Sequence, residues 1–169
     1  MSQFFRKYRG KVVNNADLQN RGRILVNVPD VLGSGTGWAL PSAPYAGLSA
    51  GIFAVPPIDA NVWVEFEGGN PDRPIWTGCF WEAGETPAIA LAGPPIAAAA
   101  RIVLQPSVSQ QFIAISDAPG AVGGITLMGR NGAMITINDT GIIITNGRGA
   151  TITLTQTTVD INVGALTVM

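Results

Sequence analysis

The chain has 169 residues, 47% of them apolar and only 12% charged, with a net charge of −1. That length holds one ordinary domain plus an appendage, and the near-zero balance argues against nucleic acid as the main partner, because phosphate neutralisation needs a basic face. Histidine is absent, which removes Ser-His-Asp and Cys-His catalysis and the common zinc sites, and a single cysteine, Cys79, precludes an intrachain disulfide.

The N-terminal MSQFFRKYRG has no long apolar core and no cleavage pattern, so no signal peptide is expected and synthesis is expected in a cytoplasm. The longest low-charge runs are broken by Pro and Gly and lack the ~20 continuous apolar residues of a membrane helix. Arg6, Lys7, Arg9 and Lys11 form a local basic patch, read as outward positions of a first strand rather than a phosphate site.

Residues 1–82 read as a run of strands. FRKYRGKVV (5–13) is followed by the turn-forming NNAD (14–17). RGRILVNVP (21–29) sets Ile24, Val26 and Val28 against Arg23, Leu25 and Asn27. A loop, GSGTG (33–37), leads into WALPSAPYAG (38–47); it lacks the Lys and following helix of a phosphate loop. GIFAVPP (51–57) precedes VWVEFE (62–67), where Val62, Val64 and Phe66 alternate with Trp63, Glu65 and Glu67. The turn-rich GGNPDRP (68–74) leads to a last strand, IWTGCFW (75–81). Five or six strands without helical periodicity predict a small closed β-barrel.

Residues 83–100, AGETPAIALAGPPIAAAA, form an Ala/Pro/Gly-rich linker. Pro87, Pro94 and Pro95 limit any helix there, and the reading is extended chain packed along a neighbour. Residues 101–169 are β-branched and repetitive, with glycines at 124, 132, 141 and 149. Between them apolar residues alternate with Thr, giving short strands with one apolar face. The candidate core residues of this segment are Ile125, Leu127, Ile135, Ile137, Ile142, Ile144, Ile152, Leu154, Val159, Ile161 and Val163. A single such sheet leaves its apolar face wet, at ~25 cal/mol per Å². A monomeric β-solenoid needs longer rungs, about 18 residues per coil at ~3.3 Å per residue. Three chains supplying one side each of a prism is the more economical arrangement.

The fold class is therefore all-β. GKVVNNADLQNRGRILVNVPD (10–30), WALPSAPYAG (38–47) and GIFAVPPIDANVWVEFEGGNPDRPIWTGCFW (51–81) resemble, in order, the oligonucleotide/oligosaccharide-binding (OB) domain of central spike proteins of contractile phage tails and injection systems, the baseplate V-like and VgrG-like spikes. One turn departs from that pattern, with Asp59 and Ala60 where the family has Gly. The tail is similar to the family's trimeric β-helical needle. The resemblance implies a homotrimer in a virion tail baseplate or extracellular injection particle. Its OB domains would sit against a baseplate hub protein. Its needle, a β-helix or β-prism, would be driven through the target envelope by sheath contraction. The open C-terminal end, ALTVM, suggests a small tip-capping protein. Some relatives insert a lysozyme domain, for which the linker is too short, and some bind iron through histidines, which are missing here. No catalytic residue, metal or cofactor is expected.

Two further readings remain at this stage. Trp38, Trp63, Trp76 and Trp81 could stack on glycan or single-stranded nucleic acid, making the chain an OB-fold binding module with a β-rich oligomerisation stalk. Asp59, Glu65, Glu67 and Asp72 could include a glycosidase pair, against which stands the ordinary reading of exposed acids on a strand edge. Cys79 reads as a small core residue rather than a nucleophile.

Overall fold

A computed structural model describes residues 3–91, 101–106 and 109–168, which divide into two units, Met1–Glu85 and Thr86–Met169. In the first unit the two-residue periodicity closes on itself. Strands β1 (Tyr8–Asn14), β2 (Ile24–Asn27), β3 (Thr36–Pro41), β6 (Asn61–Phe66) and β7 (Pro74–Cys79) form a closed barrel in the order β1-β2-β3-β7-β6. All pairings are antiparallel except β3 with β7, which is parallel and completes the circle. The inward residues are the expected alternating sets: Val12, Ile24, Val26, Val28, Ala39, Val62, Val64 and Phe66 are buried together. Bulges between Val12 and Asn14 and between Trp63 and Val64 bend two strands enough to close so small a cylinder. Gly10 is required by close packing: a Cβ there would lie 3.0 Å from Val64 Cγ2 and 3.2 Å from the Asn27 carbonyl. Phe4, Tyr8 and Phe66 plug one end, with ring centroids 5.7–6.0 Å apart.

Strand directions give the barrel two distinct ends. The loop 14–23, the end of β3, the start of β6 and the end of β7 share one end, from which the chain leaves at Glu85. The opposite end carries the helical turn α1 (Pro29–Leu32) and the turn 67–73. The segment 51–57 departs from the sequence expectation. Only β4 (Ala46–Gly47) and β5 (Ala50–Gly51) pair, as a two-residue hairpin separate from the barrel, and Ile52–Pro57 is not strand. Prolines at 56 and 57 deny that segment ladder donors.

The sequence marks 14–17 only as a turn, but Asp17 organises the whole loop. Its carboxylate accepts the backbone N–H of Gln19 (3.0 Å), Arg21 (2.9 Å) and Arg23 (3.2 Å). It also takes two bonds from the Arg23 guanidinium, Nε at 3.1 Å and Nη2 at 2.7 Å. The Asp17 side chain is 4% exposed. Its pKa falls far below the usual carboxylate range, first because of the Arg23 hydrogen bonds; partial burial opposes this and the backbone donors add to it.

Ala88–Leu91 is one helical turn, α2, not extended chain, started by Ala90 N–H to the Pro87 carbonyl (2.9 Å). Pro87 ahead of Ala and Leu favours a helix start. The remaining linker residues, 92–100, lie outside the described residues. Strands β8 (Arg101–Leu104), β9 (Phe112–Ser116), β10 (Gly124–Met128), β11 (Met134–Asn138), β12 (Gly141–Thr145), β13 (Thr151–Thr155), β14 (Thr158–Ile161) and β15 (Leu166–Val168) follow. They form one eight-stranded antiparallel meander, each strand pairing with its neighbours in sequence. The β11–β12 turn requires Gly141, at φ 144°, where a Cβ would run into the Leu154 carbonyl of β13.

Because the folded-state pKa of Asp17 is depressed, its contribution to stability is present above the unfolded value, about 3.9, and is lost as pH falls toward the folded value. Asp17→Asn is therefore expected to lower the melting temperature of the barrel at pH 7. The gap to the parent should persist down to about pH 4 and close only below it, as read by thermal melts across pH.

Candidate assembly face

Register in the meander lines up the apolar residues across every strand. One row runs Ile102, Ile115, Ile125, Ile137, Ile142, Leu154, Val159, Val168. The second runs Leu104, Ile113, Leu127, Ile135, Ile144, Ile152, Ile161, Leu166. Residues two apart on a strand share a face, so both rows lie on one side of the sheet. The intervening positions, among them Ala114, Thr126, Thr136, Ile143, Thr153 and Asp160, lie on the other.

Exposure is inverted relative to an ordinary half-buried sheet. Thr136 is 7% exposed, whereas its neighbours Ile135 and Ile137 are 38% and 43% exposed. Ile102, Leu104, Ile113, Ile115, Ile125, Leu127, Ile144, Ile152, Leu166 and Val168 are likewise exposed. Fully burying one such side chain is worth ~1.5–3 kcal/mol. The area still open therefore represents on the order of 1 kcal/mol per residue and ten or more per chain, as much as the entire stability of a typical domain. Edge strands β8 and β15 add open backbone ladder at either end.

Ten of the eleven sequence-expected residues fall on these rows. Val163 does not: it sits in the turn between β14 and β15 at φ 53°, 89% exposed. The alternation that suggested it breaks at Asn162, whose own φ is 52°. Six row residues were missed, on β8, β9 and β15. RIVL and FIAI carry the same alternation but lack the Gly punctuation that drew attention to the later strands. Asp139 also has a role that was not foreseen, accepting the Gly120 N–H (2.8 Å) and tying the loop before β10 to the β11–β12 turn.

The other candidates disperse. Trp63 packs on Phe80 (4.7 Å) beneath the Arg9 guanidinium, 5.5 Å from the indole. Trp38 lies under Arg23 at 5.3 Å. Trp76 is half-buried against the core and donates Nε1–H to the Gly22 carbonyl (3.2 Å). Trp81 is exposed. The four indoles thus form no common platform. Glu65 pairs with Lys7 (2.7 Å) and Glu67 with Arg73 (3.4 Å). Cys79 lies at the surface and not in the core; although it is exposed, its surroundings still desolvate the thiol and push its pKa up, which disfavours the nucleophilic thiolate. In the 33–37 loop, Asn27 Nδ2 donates to the Gly33 (3.0 Å) and Gly35 (2.7 Å) carbonyls. Among the described residues no group of three or more acidic or cysteine side chains could hold a metal ion.

A closed barrel joined to a sheet with an uncovered apolar face defines a protein that completes itself by association. Comparison with known proteins gives the family. Residues 8–81 match the type VI secretion system/phage-baseplate injector OB domain, and residues 101–167 match the phage baseplate V C-terminal trimerisation domain. The chain belongs to this baseplate and secretion-system spike family. It is also 44% identical over 50 residues to the actin cross-linking toxin VgrG1 of Vibrio cholerae serotype O1, strain Classical Ogawa 395. That match covers 30% of this chain and 5% of the relative.

Ile135→Asp, which puts a carboxylate on an apolar row, is expected to abolish association at micromolar concentration in sedimentation runs. Thr155→Asp, at an exposed position on the opposite face, should leave it intact. Val163→Gly should raise the melting temperature slightly, because a β-branched residue is disfavoured at positive φ; a fall would mean that Val163 packs in the interface after all.

Proposed function

We propose that three copies of this chain associate through the two apolar rows, burying them along a common axis as a β-prism needle. The assembly is a structural, non-enzymatic spike at the centre of a contractile tail baseplate or injection particle, which pierces the target envelope mechanically on sheath contraction. In this reading residues 1–82 are the OB domain, 83–100 the linker and 101–169 the needle. Row residues from Ile125 to Ile161 form the dry axis. A hub protein sits on the OB domains, and a small tip protein caps the outer edge of β15.

The observation that carries the reading is the pair of apolar rows, unbroken across eight strands and open in one chain, within the segment that matches a trimerisation domain. A closed three-fold arrangement covers all three faces at once and needs no further partner along the sides. The hydroxyl face then points outward, weakly charged, with Asp160 as the acid in its central row. The engagement of Trp38, Trp63 and Trp76 within the barrel favours packing over a stacking surface for glycan or single strands.

Sedimentation equilibrium of the full chain is expected to give about three times 17.6 kDa. A stably folded species of 17.6 kDa at micromolar concentration would remove the trimer. In the intact particle, antibody to this chain should label the distal centre of the baseplate in electron micrographs. Labelling along the sheath or tube would overturn the spike assignment.

A further inference from the structure

The second unit is nearly free of charge, and the few charges it has are sorted. From Ile102 onward the sequence carries Asp117, Arg130, Asp139, Arg148 and Asp160. Four of these lie in successive turns of the meander: Asp117 between β9 and β10, Arg130 between β10 and β11, Asp139 between β11 and β12, and Arg148 between β12 and β13. Successive turns of a meander fall on opposite lateral edges of its sheet. Register places Phe112, Met128, Met134, Thr145 and Thr151 at one edge, and Ser116, Gly124, Asn138 and Gly141 at the other. The first edge therefore carries both arginine turns and the second both aspartate turns. Asp160 is in mid-strand, on the threonine face. Arg101 starts β8 on the acidic edge, where its guanidinium donates to the Ala90 carbonyl (3.5 Å).

The four turn residues are exposed. Among the described residues the ion pairs are Lys7–Glu65, Arg23–Asp17 and Arg73–Glu67, all in the barrel, so none of the four charges is paired within the chain. Asp139 gives one oxygen, Oδ2, to the Gly120 N–H, which steadies the carboxylate at the edge and leaves its other oxygen open. The two edges are a five-residue strand apart, ~17 Å, so an arginine on one cannot reach an aspartate on the other. A second copy can bring them together, but only in one sense. When copies stand parallel around a common axis, the cationic edge of each abuts the acidic edge of the next, a head-to-tail contact that closes on itself. When one sheet is turned by half a rotation about its strand direction, like edge meets like edge and the charges repel. Heights agree as well. Turns that follow one another in sequence differ by one strand spacing, ~4.8 Å along the stack. Arg130 thus stands one step from both Asp117 and Asp139, and Arg148 one step from Asp139, within the reach of an extended arginine.

We infer that the Arg130 and Arg148 turns of one chain pair with the Asp117 and Asp139 turns of the next at the corners of the trimer, and that this contact sets the three copies parallel. This rests on the trimer reading above. It gives direction to an association whose two apolar rows, one much like the other, carry none. Exposed ion pairs are individually weak and screened by salt, so the contact selects the arrangement and adds little to the stability that the rows supply.

The test uses the full chain at a fixed urea concentration that leaves the parent half dissociated, with association read by sedimentation equilibrium. At about 20 mM salt, Arg130→Asp/Arg148→Asp is expected to lower the association constant at least tenfold, and at about 1 M salt by less than threefold. Asp117→Arg should lower it at least threefold in the parent, where it faces arginines. In the Arg130→Asp/Arg148→Asp chain, where it faces aspartates, the same change should raise it at least threefold. This reversal of sign separates a contact between edges from a role in folding the turn, which would act alike in both backgrounds. If Asp117→Arg does not reverse sign, or the double variant associates at least as well as the parent at low salt, the edge contact is overturned and the trimer stands. A parent that sediments as a single chain before urea is added overturns the trimer, and the edge contact with it.

Discussion

The constraint that governs this protein is that a single-layered sheet has two faces and one chain covers neither completely. In the second unit the apolar residues occupy the more open face and the threonines the more enclosed one. No rearrangement of side chains can correct this, because the period of a strand is fixed at two. The open area is comparable in free energy to the stability of a whole domain. In the trimer proposed above the rows of one chain cover those of another, so that association becomes part of folding and stability depends on protomer concentration.

The first unit solves the same problem differently. Five short strands closed by one parallel pairing put Val12, Ile24, Val26, Val28, Val62 and Val64 at zero exposure within one chain. Its irregular parts are held by polar devices. The Asp17–Arg23 pair gathers a ten-residue loop onto one carboxylate, and two bulges bend the strands that a regular ladder would keep straight. The barrel is thus a body whose core is complete within one chain.

Period-two alternation made most of this legible. The barrel strands, their inward residues and ten of the row residues follow from it directly, because burial on one face leaves a residue-by-residue trace. Where the chain pairs without alternating, the trace fails. Gly141 and Gly124 begin strands and do not merely separate them. Val163 keeps the parity of a strand while its backbone has turned. The hairpin 46–51 is too short to show any period. Ala88–Leu91 is apolar throughout, so composition alone cannot tell a helical turn from extended chain. The role of Asp17 was hidden for another reason. A turn-forming acid is common, and nothing local says that an arginine six residues on will return to it.

The meander also explains how the rows come to be in register before any second chain arrives. Every strand pairs with its neighbour in sequence, so the sheet is built from local contacts, which form early and at little loop entropy. A slip of one residue in any hairpin would send its two apolar residues to the threonine face and break both rows. The safeguards are in the turns. Asn138 receives the Thr140 N–H (2.9 Å), Asn146 receives those of Arg148 (2.8 Å) and Ala150 (3.1 Å), and Asn162 receives that of Thr151 (2.9 Å). The bonds to Asn138 and Asn146 fix the lengths of their own turns, and so the parity of the strand that follows, while Asn162 ties the β14–β15 turn to the start of β13. In the proposed assembly the apolar rows supply the energy without specifying alignment, since one isoleucine resembles the next. The asparagines supply the alignment, and they do so within a single chain.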